Sequence, residues 1–234
     1  METTYIEIDS PDKHLSDVLE EIPSNVILYK TLTGIGATYS EIKAQRHSII
    51  IEPNVPVIIG KCNSAKHKND NLLGVYEGVT TDRIIKYLGA SRGKYYKILT
   101  TPESFTKVKD AFLIFNGKIY NTCFLLIDEA HKTIKDVDYR SDIVLPMNDF
   151  FKFKGKALVS ATPLKFSDPR FEENGFSIIK IEPTYDYAKE IDIKPSTNIL
   201  REVWEEFGWM PFITGQDKDR PFFITSTDVM RTGI

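Results

Sequence analysis

Short apolar runs recur along the chain, separated by amphipathic stretches, and that rhythm constrains the fold more than any other feature. The runs fall at 26–29, 48–51, 72–76, 95–99, 124–127, 157–159 and 176–181. All are too short for a buried helix. Several stop at turn or capping residues: Glu52-Pro53-Asn54, Thr80-Thr81-Asp82 and Thr100-Thr101-Pro102-Glu103. Strands apolar on both faces, with helical segments between them, make a mostly parallel sheet covered by helices, an α/β three-layer sandwich. A helix is expected to open at Ser10-Pro11-Asp12, where an N-cap serine, a first-turn proline and an acid coincide. From Glu182 the texture changes: Pro183, Pro195, Pro211 and Pro221 punctuate an expected helix at 198–207 and an apolar strand at 222–226. A lone strand cannot bury both faces. Residues 1–182 therefore read as one domain, and 183–234 as a linker and the beginning of a second, truncated one.

At 234 residues and 41% hydrophobic, the chain can bury a sizeable core. No apolar run is long enough to cross a bilayer, and the first ten residues lack the basic and apolar regions of a signal peptide. Cys62 and Cys123 have no close cysteine or histidine partner, which argues against a disulfide framework or a zinc site. A reducing cytoplasm is the expected compartment. A net charge of −3 exerts no global pull on nucleic acid, so any such contact must come from a local surface.

The chemistry concentrates in Leu125-Leu126-Ile127-Asp128-Glu129-Ala130-His131, an apolar run ending in two carboxylates. A buried strand with adjacent acids at its carboxyl end can place one on Mg²⁺ and the next on an attacking water, as nucleotide hydrolysis requires. A strand ending at a solvated loop is the blander alternative. Upstream lies Thr33-Gly34-Ile35-Gly36-Ala37-Thr38. Its glycines let backbone N–H groups converge on a phosphate, and Thr38 stands where a hydroxyl would ligate Mg²⁺ together with Asp128. A plain strand-to-helix glycine turn would need the same residues. His131 is placed to report nucleotide state to a neighbouring domain.

Taken in order, these segments resemble the first RecA-like domain of superfamily 2 helicases and translocases, a P-loop NTPase fold. Asp128-Glu129-Ala130-His131 spells that family's DEAH box, and Ser160-Ala161-Thr162 matches the motif that couples hydrolysis to strand movement. The loop 33–38 matches the Walker A loop except at Ala37, where the family has a lysine. Glu52-Pro53-Asn54, Gly78-Val79-Thr80-Thr81 and Thr100-Thr101-Pro102-Glu103 stand where the family contacts its strand, and 222–226 looks like the opening strand of a second RecA-like domain.

The resemblance implies ATP and Mg²⁺ as cofactors. ATP would be held by Thr33, Gly34, Ile35, Gly36, Ala37 and Thr38, and the metal by Thr38 and Asp128. Glu129 would activate water, with Asp128 and His131 completing the catalytic set, and Ser160, Ala161 and Thr162 would relay closure. DNA or RNA would contact Pro53, Asn54, Gly78, Thr80, Thr81, Thr101, Pro102 and Glu103, although helix capping alone explains the threonines. Replication or recombination proteins are a further class of partner that it admits.

A lysine at position 37 would grip the β- and γ-phosphates. Its loss removes a charge-assisted contact of about 1.5–3 kcal/mol, roughly a ten- to hundredfold weakening. Three outcomes stay open. Another cation substitutes, Lys30 being nearest and Lys43 pointing away along the helix; the site binds without hydrolysing; or it is vestigial, against which the intact acid pair argues. The expected function is an ATP-dependent helicase or translocase. The alternative is a catalytically weak or inactive module that binds nucleic acid or a replication partner. Two basic clusters add little: Lys61, Lys66, His67 and Lys68 line that face or form a solvated helix end, and Lys152, Lys154 and Lys156, alternating with Phe151 and Phe153, read as an edge strand shielded by lysines.

Overall fold

Among the described residues, eight strands form a single all-parallel sheet in the order β1-β8-β2-β7-β6-β3-β5-β4. They are β1 (Thr3–Ile8), β2 (Val26–Lys30), β3 (His47–Ile51), β4 (Leu72–Val75), β5 (Lys97–Thr100), β6 (Cys123–Ile127), β7 (Gly155–Ser160) and β8 (Ser177–Pro183). The helices are α1 (Leu15–Val18), α2 (Ala37–Lys43), α3 (Val55–Asn63), α4 (Thr81–Ala90), α5 (Phe105–Phe115), α6 (Ile119–Thr122), α7 (Ala130–Lys135), α8 (Leu145–Phe150) and α9 (Arg170–Glu173). This computed structural model describes residues 1–32, 34–135, 145–162 and 168–186. Thr33, Pro163 and the elements expected at 198–207 and 222–226 lie outside the described residues. Among the described residues, no helix is long and apolar enough to cross a membrane.

The strands bury both faces because neighbouring side chains point to opposite sides of the sheet. Ile27, Tyr29, Ile49, Ile51, Leu125, Ile127 and Leu158 belong to one core, with Ile84 and Leu88 of α4, Phe105 and Phe112 of α5, and Phe150 and Phe171. Val26, Leu28, Ile50, Leu126 and Val159 belong to the other, with Leu15 of α1, Ile42 of α2 and Ile58 of α3. Two cores on two faces make the three layers.

Parallel pairing sends the carboxyl end of every strand to one edge. Leu158 is in register with Ile27 of β2 and with Ile127 of β6, so a single strand separates the one that precedes the glycine loop from the one that precedes the acids. On the far side of β6, Ile127 is in register with Ile51 of β3.

Three expectations need correction. Ser10-Pro11-Asp12 opens no helix; residues 10–12 form a turn. The short α1 begins after His14, whose N–H is held by the Asp17 carboxylate at 2.8 Å, and the Leu15 N–H is tied to the Ile35 carbonyl of the glycine loop at 2.8 Å. Second, the segment 3–8 is a strand, in register with β8 from Thr3–Ile178 to Ile8–Pro183. As an edge strand it is largely exposed and carries no apolar run. Third, the lysines at 152–156 shield no edge. β7 is central, Lys156 is buried with its ammonium on the Phe153 carbonyl at 3.0 Å, and Phe153 is in the core.

Candidate functional site

Strand β6, buried along its whole length, ends by delivering Asp128. The Asp128 N–H still donates to the Ile51 carbonyl at 3.0 Å, so the first residue past the strand remains tied to β3. Glu129 leaves it abruptly, with φ of 51°, a left-handed backbone uncommon for a residue with a Cβ. The Asp128 Oδ1 accepts the Glu129 N–H at 2.9 Å and helps hold that turn. The first acid is thereby buried and the second turned partly toward solvent.

On the neighbouring side, Gly36 caps α2 with φ of 87°. A Cβ added at Gly34, with φ of 81°, would meet nothing within 4 Å. The loop therefore has open space beside it. Two residues past Gly36, the buried Thr38 hydroxyl donates to Asp128 Oδ2 at 2.5 Å. The Thr38 hydroxyl oxygen also lies 3.2 Å from Glu52 Oε1. A hydroxyl has one proton, and the shorter contact assigns it to Asp128.

Two lysines balance three carboxylates. Lys30, 7% exposed at the end of β2, places its ammonium 2.8 Å from Asp128 Oδ1 and 2.9 Å from Glu129 Oε1. Lys61 of α3 pairs with Glu52. Burial alone would raise the Asp128 carboxyl, but the Lys30 charge, with hydrogen bonds from Lys30 and Thr38, holds it below the ordinary range. Burial would likewise lower Lys30, and the two acids keep it above its usual value. Glu52 goes the other way: burial and the Asp128 charge raise it against the pull of Lys61. Lys43 turns aside to Asp70, 2.7 Å away.

His131 bridges the acids to β7. Its Nδ1 lies 3.2 Å from Ser160 Oγ and its Nε2 lies 3.4 Å from Glu129 Oε2. Ser160 Oγ donates to the Thr162 carbonyl at 2.7 Å and accepts the Thr162 N–H at 3.1 Å. Ala161 is half-buried in the turn between Ser160 and Thr162.

The remaining candidates follow β3, β4 and β5, on the same edge. Asn54 is exposed, caps α3 and makes no side-chain cap hydrogen bond, while Pro53 is half-buried. Gly78 is exposed with φ of 83°. Thr81 is the first residue of α4, and Thr80 is its N-cap, its hydroxyl accepting the Arg83 N–H at 3.4 Å. Thr101 begins no helix. It is buried, and its hydroxyl accepts the Ser104 N–H at 3.3 Å. Pro102 is buried and Glu103 half-buried. Asn54, Gly78 and Thr80 are thus open to a partner, whereas Thr101 is occupied internally.

Glu52 and Lys61 are the members of this cluster that sequence reasoning did not assign to it. The available signal was the acid that ends Ile49-Ile50-Ile51, a pattern like that of Asp128 after Ile127. Among the described residues, no group of three or more His, Cys, Asp or Glu side chains is arranged to hold a metal by itself. A hydroxyl beside one carboxylate is instead the hard-oxygen donor set of Mg²⁺ that takes its other ligands from phosphate and water, so the residues fit that ion. A cavity of about 490 Å³ elsewhere, lined by Cys62, Asn63, Lys68 and Asn71 among others, includes none of these groups.

No protein-family model and no curated protein matches the chain. Solved structures similar to it include a hypothetical ATP-dependent RNA helicase from Sulfolobus tokodaii, 18% identical over 67% of this chain and 48% of that one, with a TM-score of 0.48. The Hef helicase domain of Pyrococcus furiosus is 14% identical over 74% and 39%, with a TM-score of 0.47. Mss116p bound to ssRNA and AMP-PNP is 12% identical over 80% and 48%, with a TM-score of 0.46. The chain spans less than half the length of each of these structures. Likeness at this level carries no functional weight.

Proposed function

We propose that this chain is a helicase-like ATP-binding module that takes Mg²⁺-ATP at the carboxyl edge of β2 and β6 and contacts nucleic acid along the same edge. The observation that carries the reading is the 2.5 Å hydrogen bond from Thr38 to Asp128, side chains separated by 90 residues in sequence. It joins the end of the glycine loop to the acid pair. Phosphoryl transfer depends mainly on positioning and charge, and that junction supplies both. The N–H groups around Gly34 and Gly36 would donate to phosphate oxygens, and Thr38 and Asp128 would hold the cation. Glu129, partly exposed and sharing the Lys30 ammonium with Asp128, would accept the proton of a water. His131 links Glu129 to Ser160 and so to the segment that leads out of β7. Bound Mg²⁺-ATP would supply the phosphoanhydride and the charge that polarises it. DNA or RNA backbone would lie against Asn54, Gly78 and Thr80, with Pro53, Thr81, Thr101, Pro102 and Glu103 shaping those loops.

Calorimetry tests the reading. ATP should bind in the presence of Mg²⁺ and lose that binding with EDTA or on Asp128→Ala; no binding at millimolar ATP by the unsubstituted chain removes the proposal. A second reading, a module that binds nucleotide without turning it over, is favoured by Ala37 and by the Lys30 ammonium on both acids. Phosphate release with and without single-stranded DNA or RNA separates the two.

A further inference from the structure

We infer that Lys30 is the phosphate-binding cation that position 37 does not supply, and that in the nucleotide-free chain the same ammonium latches Asp128 and Glu129 together. This rests on the nucleotide-site reading above and assigns a residue to it.

Position makes the case first. Lys30 is the last residue of β2, immediately before the loop, and only 7% exposed. Its ammonium contacts Asp128 Oδ1 at 2.8 Å while the other oxygen of that carboxylate contacts the Thr38 hydroxyl at 2.5 Å. One carboxylate therefore separates the ammonium from the first turn of α2, where the family's lysine would stand. Ala37 itself is 3% exposed and belongs to the apolar core with Ile35 and Ile42. Position 37 is used for packing.

Charge makes the case next. A divalent cation on Thr38 and Asp128 would sit against the Lys30 ammonium, and like charges in a buried site repel strongly. Lysine is a point charge on a flexible four-carbon stem, so it can turn without moving the strand. The destination that restores its partner is a polyphosphate in the loop. The neighbouring lysines are committed elsewhere, Lys61 to Glu52 and Lys43 to Asp70. The latch thus exchanges two carboxylates for phosphate, and Glu129 is released when nucleotide enters.

The test is chemical first. An ATP analogue acylated on its γ-phosphate transfers the acyl group to a lysine amine beside the phosphates, with ATP as the leaving group. Peptide mapping of the full chain should place the label on Lys30 and excess ATP should suppress it. Label on Lys43 or Lys61 instead overturns the assignment. Lys30→Met should weaken Mg²⁺-ATP binding roughly ten- to hundredfold, the effect of one charge-assisted contact. The same variant should bind Mn²⁺ alone more tightly, because the acid pair has lost its cation. Lys30→Arg should keep most of the ATP affinity. A purely structural lysine would leave ATP affinity within about twofold on Lys30→Met, which refutes the inference. If Lys30→Met does not fold, the labelling of the unsubstituted chain still decides. A chain that binds no ATP and takes no label fails at the nucleotide-site reading, before Lys30 is in question.

Discussion

Replacing Thr38 with valine removes one hydroxyl from a side chain that is 5% exposed and changes its shape very little. The cost can be worked from the contacts. Asp128 Oδ1 is held by the Lys30 ammonium at 2.8 Å and the Glu129 N–H at 2.9 Å, and both survive the substitution. Asp128 Oδ2 has the Thr38 hydroxyl at 2.5 Å, and valine puts a methyl there. A buried anionic oxygen that loses a charge-assisted hydrogen bond costs about 1.5–3 kcal/mol. Lys30 is already committed to the other oxygen and to Glu129, so it cannot compensate fully. With a urea dependence of about 2.5 kcal/mol per molar, the midpoint should fall by roughly 0.6–1.2 M.

Serine at the same position supplies the sign test. It keeps the hydroxyl and deletes one buried methyl, worth about 0.8 kcal/mol. Urea unfolding without nucleotide, in EDTA, should therefore rank Thr38→Val below Thr38→Ser and both below the unsubstituted chain. Pairing Thr38→Val with Asp128→Asn should show a coupling of about 1 kcal/mol or more. If valine unfolds at the unsubstituted midpoint, or serine costs more than valine, burial of the methyl outweighs the hydrogen bond. The convergence of glycine loop and acid pair would then have no energetic content.

Three further outcomes follow from the same contacts. Gly36→Ala should cost about 1–2 kcal/mol in thermal or chemical unfolding, because φ is 87° while the nearest atoms to an added Cβ, on Tyr39 and His14, are at 3.8 and 3.9 Å; the cost is backbone strain, not collision. Glu41→Ala should cost about 3–5 kcal/mol, since Glu41 is fully buried and holds Arg46 at 2.6 Å and Ser48 at 2.5 Å; a loss under 1 kcal/mol would discount that network. Stability should rise by about 1 kcal/mol between pH 8 and 9 and stop rising beyond. Burial pushes Lys97 down to about 8, so above that pH the unfolded chain binds the extra proton and folding gains. Burial pushes the Cys123 thiol up to about 12, so the slope reverses once unfolded thiols ionise near 9. Lys97→Met should flatten the rise in a pH series of urea titrations.

The sheet was legible wherever a strand is buried on both faces. Ile49-Ile50-Ile51 and Leu125-Leu126-Ile127 admit little else between polar stops, and both are central strands. Edges follow different rules. Among the described residues β1 pairs only with β8, and its mixture of threonine, tyrosine and glutamate carries no continuous apolar signal. The lysines at 152–156 misled for the converse reason. A lysine can shield an edge, or bury its stem and spend its ammonium on a carbonyl, and Lys156 does the second in a central strand. Composition cannot separate those cases, because the difference lies in what the neighbouring strand does.

The candidate site divides along the same line. The acids, the glycines and Thr38 could be picked out because each is set by local rules: a charge after a buried run, a loop needing left-handed backbone, a hydroxyl at fixed spacing. Glu52 could not, because its role comes from strand order. Ile51 and Ile127 are in register on adjacent strands, so the residues that follow them, Glu52 and Asp128, arrive side by side at the same edge. Two carboxylates in that position raise one another's cost of ionisation. Burial, that repulsion and the opposing pull of Lys61 leave Glu52 above its usual range, while Lys30 keeps Asp128 below its own. The Thr38 hydroxyl lies between the two acids, and Glu52 is followed directly by Pro53 and the exposed Asn54. One glutamate therefore stands between the Asn54 loop and the Thr38–Asp128 contact, and the sheet register keeps that distance short.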